Sequence, residues 1–477
     1  MPINPTANKS TRAPGLLLFA FAAALAIFAG LGSTPLIDPD EPVYAQAGLE
    51  MLRHHTWIVP WFDGHPLFDK PFLFYALEAA SQGLLGAGAV SARIPSALAS
   101  VLLALVLARS GARWFGGTAG RWAAWVSISA LYPMVAARAA VTDATFTTAL
   151  FAGILWLGET IEGPGPGPVL GAGAALAAAT LVKGPVVFAL VALLGISYAF
   201  AVGSLRPLLR ARSWAAIAAG LGLSAPWFLY MALRYPDQFV PEFFGKQNVA
   251  RFLTPEHAGV APWFFLAMLP VMFLPWPLFA PSLKRLRISE VRGELRPVVY
   301  LMCWAAVVLV FFSLSATKLI TYVLPAVPAL SLLVGAALSR SGPIARRAAV
   351  ASGLGAAALV ASAAAFVAPR LVCYYSASSR AQDLREMAPD EELLVYKGGF
   401  PGTLYYAGRR GTALRQEGDL GERIRRGTAF RLLVRPRHAG ELKPYLSQLE
   451  LIPGPSGPWG EGLRVYRHRP ASQAGPR

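Results

Sequence analysis

The chain has 477 residues, of which 55% are hydrophobic and only 14% charged, where a soluble domain carries about 25% charged residues. With a mean hydropathy of +0.48, this excludes an ordinary soluble protein. The formal charge of +17, from 43 Lys and Arg against 26 Asp and Glu, sits mostly in short loops and the tail, which suits orientation against anionic lipid rather than nucleic-acid binding.

The first apolar run, Gly15 to Leu31, follows a short polar segment with Lys9 and Arg12. It reads as a signal-anchor span, because no small-residue cleavage site stands out and many apolar runs follow. Those runs cover about 91–109, 121–137, 144–160, 168–182, 185–203, 213–233, 261–281, 297–314, 319–338 and 347–368. Several approach the roughly 20 residues that cross a bilayer core. The expected fold is a polytopic α-helical membrane protein with about eleven transmembrane helices over residues 1–368. Residues 369–477 are expected to form a small extracytoplasmic α/β domain.

With a cytoplasmic N-terminus, the inner loops carry Arg109, Arg113 and Arg121, then Arg206, Arg210 and Arg212, then Lys284 to Arg296, then Arg340, Arg346 and Arg347. This is a positive-inside pattern. The exception is the loop Glu159–Pro168, which has two Glu and no basic residue. The outer segments then hold Asp38 to Lys70, Asp143, Lys183, Arg234 to His257, and Lys318. Acids and isolated lysines thus gather on one face, which is where a site is expected. In the tail, Leu393–Tyr396, Thr403–Tyr406, Phe430–Val434 and Leu463–Tyr466 read as short strands separated by Gly398, Gly399 and Pro436. Cys303 and Cys373 give neither metal spacing nor a disulfide framework.

The first outer segment, from Asp38 to Tyr75, is dense in chemistry. Pro42 to Arg53 has helical character, with Asp40 placed to act as a helix cap or as a general base. Lys70 to Leu85 reads as a second amphipathic helix lying in the headgroup plane, among interfacial aromatics. His54, His55 and His65 read as interfacial surface. Lys70 can hold a phosphate, and Asp69 with a histidine can hold a divalent ion. Asp143 reads as a site acid or a cap. Lys183 and Lys318 read as snorkelling anchors or phosphate contacts. Chemistry alone leaves hydrolysis, glycosyl transfer and phosphoryl transfer open.

Several segments, in order, carry a resemblance: D-E-P-V-Y at Asp40–Tyr44, W-I-V-P at Trp57–Pro60, F-D-K-P at Phe68–Pro71, S-A-R-I-P at Ser91–Pro95, R-A-A-V-T-D at Arg138–Asp143, L-V-K-G-P at Leu181–Pro185, N-V-A-R-F at Asn248–Phe252, and K-L-I-T-Y-V-L-P at Lys318–Pro325. Over about residues 15–340 the chain resembles the GT-C glycosyltransferases of the ArnT/protein-mannosyltransferase group. The resemblance implies a polyprenyl-phosphate sugar donor, in bacteria undecaprenyl phosphate, and a lipid A-like glycolipid, glycan or protein acceptor. It implies a multi-pass protein of the bacterial inner membrane with its active site on the periplasmic face, in contact with membrane lipids and with no nucleic acid. Asp40 matches the family's catalytic Asp, with Glu41 beside it and Asp143 as the second acid. Tyr44, Lys70, Arg138, Lys183, Lys318 and Tyr322 match substrate-binding positions. Asp69 and His257 match a pair implicated in metal binding, with Asp here in place of Glu. Val43 stands where the aminoarabinose branch has Arg. The rival readings are a membrane phosphotransferase or hydrolase acting on lipid-linked phosphate, and a non-enzymatic lipid transporter.

Overall fold

The computed structural model describes residues 23–469, except 164, 255–259, 293, 415 and 458–459. Among the described residues, six helices are long and apolar enough to cross a membrane: Ala89–Phe115, Thr142–Glu162, Ala211–Arg234, Pro297–Leu314, Ile320–Ser339 and Pro343–Tyr375. Phe264–Met272 and Trp276–Arg285 pass the same test as a pair bent by 95°. Pro270, Pro275, Pro277 and Pro281 crowd this segment, and each removes a helical donor. Two further apolar helices, Gly167–Lys183 and Val186–Val202, have 17 residues each. Seventeen residues rise about 25 Å, less than the roughly 30 Å hydrocarbon core. The protein is a multi-pass helical membrane protein. The expectation of about eleven spans counts these short and broken elements as well as Gly15–Leu31, of which 15–22 lie outside the described residues. Among the described residues, six helices, or seven with the bent pair, reach the length and composition of a span.

The run at 121–137 is one such element. It breaks at extended Ala130 into helices Gly117–Ser129 and Leu131–Ala137. Pro133 sits four residues after Ser129 and cannot continue the helical ladder. Close helix contact replaces bulky packing at several crossings. Gly120 lies so near the preceding helix that a Cβ there would collide with the Ala108 carbonyl, as small residues allow in membrane interfaces. The acidic inner loop also has its explanation. Glu159 accepts from Arg109 at 3.1 Å and lies 3.9 Å from Arg113, while Glu162 meets Arg113 at 3.0 Å. Its acids neutralise the arginines of the neighbouring loop.

The first outer segment folds as helix α1 (Asp40–Arg53), a short hairpin of β1 (Trp61–Phe62) and β2 (His65–Pro66), and helix α2 (Leu73–Leu85). The hairpin turns at Asp63 and Gly64, both with positive φ (55° and 73°), as a two-residue Asp-Gly loop requires. The Glu50 carboxylate accepts from both of their N–H groups, at 2.9 and 3.0 Å. Trp61 stacks on His54 with ring centroids 4.2 Å apart. Helices α1 and α2 pack at Gly48, where a Cβ would come within 2.7 Å of the Glu78 Cβ.

The last long helix continues through residue 368 to Tyr375. Beyond it stand β3 (Glu392–Tyr396), β4 (Thr412–Leu414), β5 (Phe430–Val434), β6 (Glu450–Ile452) and β7 (Arg464–His468). They form one sheet in the order β4-β3-β5-β7-β6. Strand β3 is parallel to β4 and β5, and β7 is antiparallel to β5 and β6. Residues 403–406, expected as a strand, lie in helix Gly402–Ala407. Their aromatic, β-favouring residues are overridden by tertiary contacts. Tyr405 donates to Gln82 Oε1 at 3.1 Å, and the Tyr406 hydroxyl accepts from Leu36 N at 2.6 Å.

Candidate active site

A cleft of about 850 Å³ opens among the membrane helices and the first outer segment. Asp40, Tyr44, Asp69, Lys70, Asp143, Lys183 and Tyr322 all line it, drawn from five separate stretches of chain. Apolar side chains share the lining, among them Phe146, Val186, Ala189, Phe311, Phe312 and Pro325.

Asp40 is the first residue of α1 and makes no cap hydrogen bond; Pro39 holds the cap position. The cap reading of Asp40 is therefore corrected, and its carboxylate is left open to the cleft. Partial burial, and then the nearby Asp143 charge, push its pKa up; Arg251 and Lys70 pull against this. A carboxylate so placed is a stronger proton acceptor. Glu41 is different. Arg93 grips it with Nη2 to Oε2 at 2.7 Å and Nε to Oε1 at 2.8 Å. Glu41 also accepts from Ile37 N and Ala140 N, both at 2.8 Å. It does not line the cleft; it ties the Asp40 turn to the segment that leads into Asp143.

Asp143 lies in the first turn of Thr142–Glu162 without capping it. Its Oδ1 instead accepts from Lys183 Nζ at 2.6 Å. Lys183 ends helix Gly167–Lys183, where Gly184 takes a φ of +106° that an L side chain resists. The ammonium also lies 5.1 Å from the Phe146 ring centroid and 5.8 Å from that of Tyr322. Lys70 Nζ donates to the Asp69 carbonyl at 2.9 Å. Burial, and then the Arg251 charge, lower its pKa to about 8. Tyr44 stacks on Tyr75 at 5.4 Å and meets Phe74 edge-on at 5.5 Å. Burial pushes its phenol up, so it stays a neutral donor.

Two expected substrate contacts are placed elsewhere. Arg138 donates to the carbonyls of Ala26, at 2.8 Å, and Ala29, so it holds the first membrane segment. Lys318 donates to the Ser315 carbonyl at 2.7 Å; Ser315 and Leu319 line the cleft, and Lys318 does not. Neither is a cleft residue, because backbone carbonyls left over by helix ends and turns capture both cations. Arg251, Gln247 and Asn248 line the cleft and carry no role in the sequence reading. Their signal there is the N-V-A-R-F segment. For the metal, Asp69 accepts from Gln247 Nε2 at 2.8 Å, and His257 lies outside the described residues. Among the described residues no three His, Cys, Asp or Glu side chains gather as ligands.

The family described as dolichyl-phosphate-mannose-protein mannosyltransferase matches residues 69–230. The undecaprenyl phosphate-alpha-4-amino-4-deoxy-L-arabinose arabinosyl transferases of Pseudomonas fluorescens (transferase 2) and Pseudomonas aeruginosa are 32% and 33% identical over 333 residues, 68% of this chain. The chain belongs to the GT-C glycosyltransferases of the ArnT/protein-mannosyltransferase group. The matches span 55% and 59% of those relatives' length. ArnT from Cupriavidus metallidurans, solved with undecaprenyl phosphate, superposes with a TM-score of 0.77 at 21% identity, covering 98% of this chain and 100% of that one. The oligosaccharyltransferase of Archaeoglobus fulgidus superposes with a TM-score of 0.56 at 14% identity, covering 86% and 65%. The fold is therefore GT-C, with a small C-terminal sheet domain.

Proposed function

We propose that this GT-C protein transfers a sugar from a polyprenyl-phosphate donor to an acceptor outside the cytoplasm. One observation carries the reading. Asp40, Lys70, Asp143 and Lys183, distant in sequence, line a single cleft together with a set of apolar side chains. An isoprenoid chain fits these apolar side chains, and its phosphate fits the cations. Lys70 and Lys183, with Arg251, bind the phosphate and stabilise its growing charge as it departs. Asp40 takes the proton of the acceptor hydroxyl or amine as that atom bonds to the anomeric carbon. The bond from this carbon to the phosphate oxygen breaks, and polyprenyl phosphate leaves. Asp143 orients Lys183 and raises the basicity of Asp40.

By likeness to its arabinosyl transferase relatives, the donor is an undecaprenyl-phosphate sugar. Val43 lines the cleft one turn from Asp40 and supplies no charge there. The gathering of most arginines of the membrane domain in loops away from the cleft favours a bacterial inner-membrane protein with the site on the periplasmic face. Asp69 lines the cleft with its carboxylate held by the Gln247 amide at 2.8 Å.

The test is Asp40→Asn in cells, with sugar transfer read by mass spectrometry of envelope lipids and glycoproteins from cells that carry the parent protein, the variant or neither. Transfer should fall by about 10²–10⁴, the usual contribution of a general base. A variant that still transfers at the parental rate removes the assigned base.

A further inference from the structure

Three acids stand together at residues 38, 40 and 41, and only Asp40 faces the cleft. Glu41 is held by Arg93 within the membrane domain. Asp38 is held by the C-terminal domain. Its Oδ1 accepts from Gly402 N at 2.7 Å, and its Oδ2 accepts from Ala377 N at 2.9 Å. Its own N–H donates to the Tyr375 carbonyl at 2.8 Å. Asp38 is 6% exposed. The fit is close from the domain side: a Cβ on Gly402 would fall 2.6 Å from Oδ2. Leu36, two residues earlier, is gripped as well. Its N–H donates to the Tyr406 hydroxyl at 2.6 Å, and its carbonyl accepts from Ser376 Oγ at 2.7 Å.

The place where the carboxylate binds follows from the sheet. Gly402 begins the helix after β3, and Arg435 directly follows β5. Strands β3 and β5 are parallel neighbours, while β4 lies on the other side of β3. The chain thus reverses its direction of travel across the sheet between β3 and β5. The carboxyl ends of strands at such a point form a natural crevice for a ligand. Here the crevice takes a carboxylate of the membrane domain; burial pushes its pKa up to about 6, and the Ala377 and Gly402 amides, then the Arg435 charge, pull against this.

We propose that Asp38 is a positioning residue: by anchoring in the crevice of the C-terminal domain, it sets where Asp40 stands in the cleft. Two residues of extended chain span no more than about 7 Å, so a shift at Asp38 reaches Asp40 with little attenuation. The membrane domain holds the turn at Glu41 and the C-terminal domain holds it at Asp38. The inference rests on Asp40 being the acting group in the cleft.

The test uses full-length protein with Cys303→Ala, Cys373→Ala and a reporter thiol, Val43→Cys, on the cleft face one turn beyond Asp40. Maleimide labelling of this thiol is timed with and without undecaprenyl phosphate. Asp38→Asn should raise the labelling rate on the order of tenfold, as local opening becomes easier once an NH2 donor replaces one of the two acceptor oxygens and faces a backbone N–H. Gly402→Ala, which presses on Asp38 from the other domain, should act in the same direction. The concentration of undecaprenyl phosphate that half-protects the thiol should stay within about twofold, since general damage to the cleft moves both readouts. Unchanged labelling in folded Asp38→Asn protein overturns the proposal, and should that variant not fold, Gly402→Ala decides alone. Absence of protection in the parent protein counts against the lipid-phosphate reading instead, and leaves the labelling comparison intact.

Discussion

The Lys183 ammonium reaches across from the end of one membrane helix to the Asp143 carboxylate at the start of another, at 2.6 Å, with both side chains largely out of solvent. The pair lines the same cleft as Lys70 and Asp40. Removing either charge therefore changes the field at Asp40.

Asp143→Asn is expected to move the acid limb of the pH–rate profile to lower pH. Asp143 raises the Asp40 pKa, so its neutralisation lets Asp40 lose its proton earlier as pH rises. The profile of kcat/KM against pH reads this in free enzyme. An acid limb that stays in place would remove Asp143 from the control of Asp40.

Lys70 is expected to set the alkaline limb. It works as a cation and titrates at about 8, so kcat/KM should fall as pH rises through that value. Lys70→Arg keeps the charge at high pH. It should abolish this limb while lowering the maximum, because the shorter reach of ammonium to phosphate is not reproduced by a planar fork.

Arg93→Met leaves the Glu41 carboxylate buried without its partner. Both side chains are nearly inaccessible, at 4% and 8%, and breaking such a pair costs about 3–5 kcal/mol. The melting temperature in detergent should drop sharply, with the yield of inserted protein. A melting temperature within experimental error of the parent would show that the pair holds nothing in place.

Gly120→Ala forces a methyl group against the Ala108 carbonyl on the neighbouring helix. Overpacking of this kind costs about 1–3 kcal/mol. The loss should appear as lowered thermal stability, with the shape of the pH profile unchanged.

The membrane character, the positions of the apolar helices and the concentration of chemistry in the first outer segment were legible in the sequence. Each rests on local signals: apolar length, arginine-rich loops, and acids beside a proline that opens a helix. Helix α1 and helix α2 likewise follow their own periodicity. Less legible were the breaks at Ala130 and near Pro275, where proline stops a run that hydropathy counts as continuous. Residues 403–406 were misread because their aromatic side chains suit a strand, while their contacts with Leu36 and Gln82 exist only once two domains meet.

The partition of the charges was decided by the tertiary structure alone. The sequence by itself determined which acids and cations the segments around the cleft would carry. It did not determine that Glu41 would be taken by Arg93, Asp38 by the amides of the C-terminal domain, and Arg138 by the carbonyls of the first membrane segment, leaving Asp40, Lys70, Asp143 and Lys183 around the cleft. A charge in a poorly solvated place binds the nearest group that satisfies it. Which group is nearest depends on helix crossings and domain docking, and no local pattern encodes these.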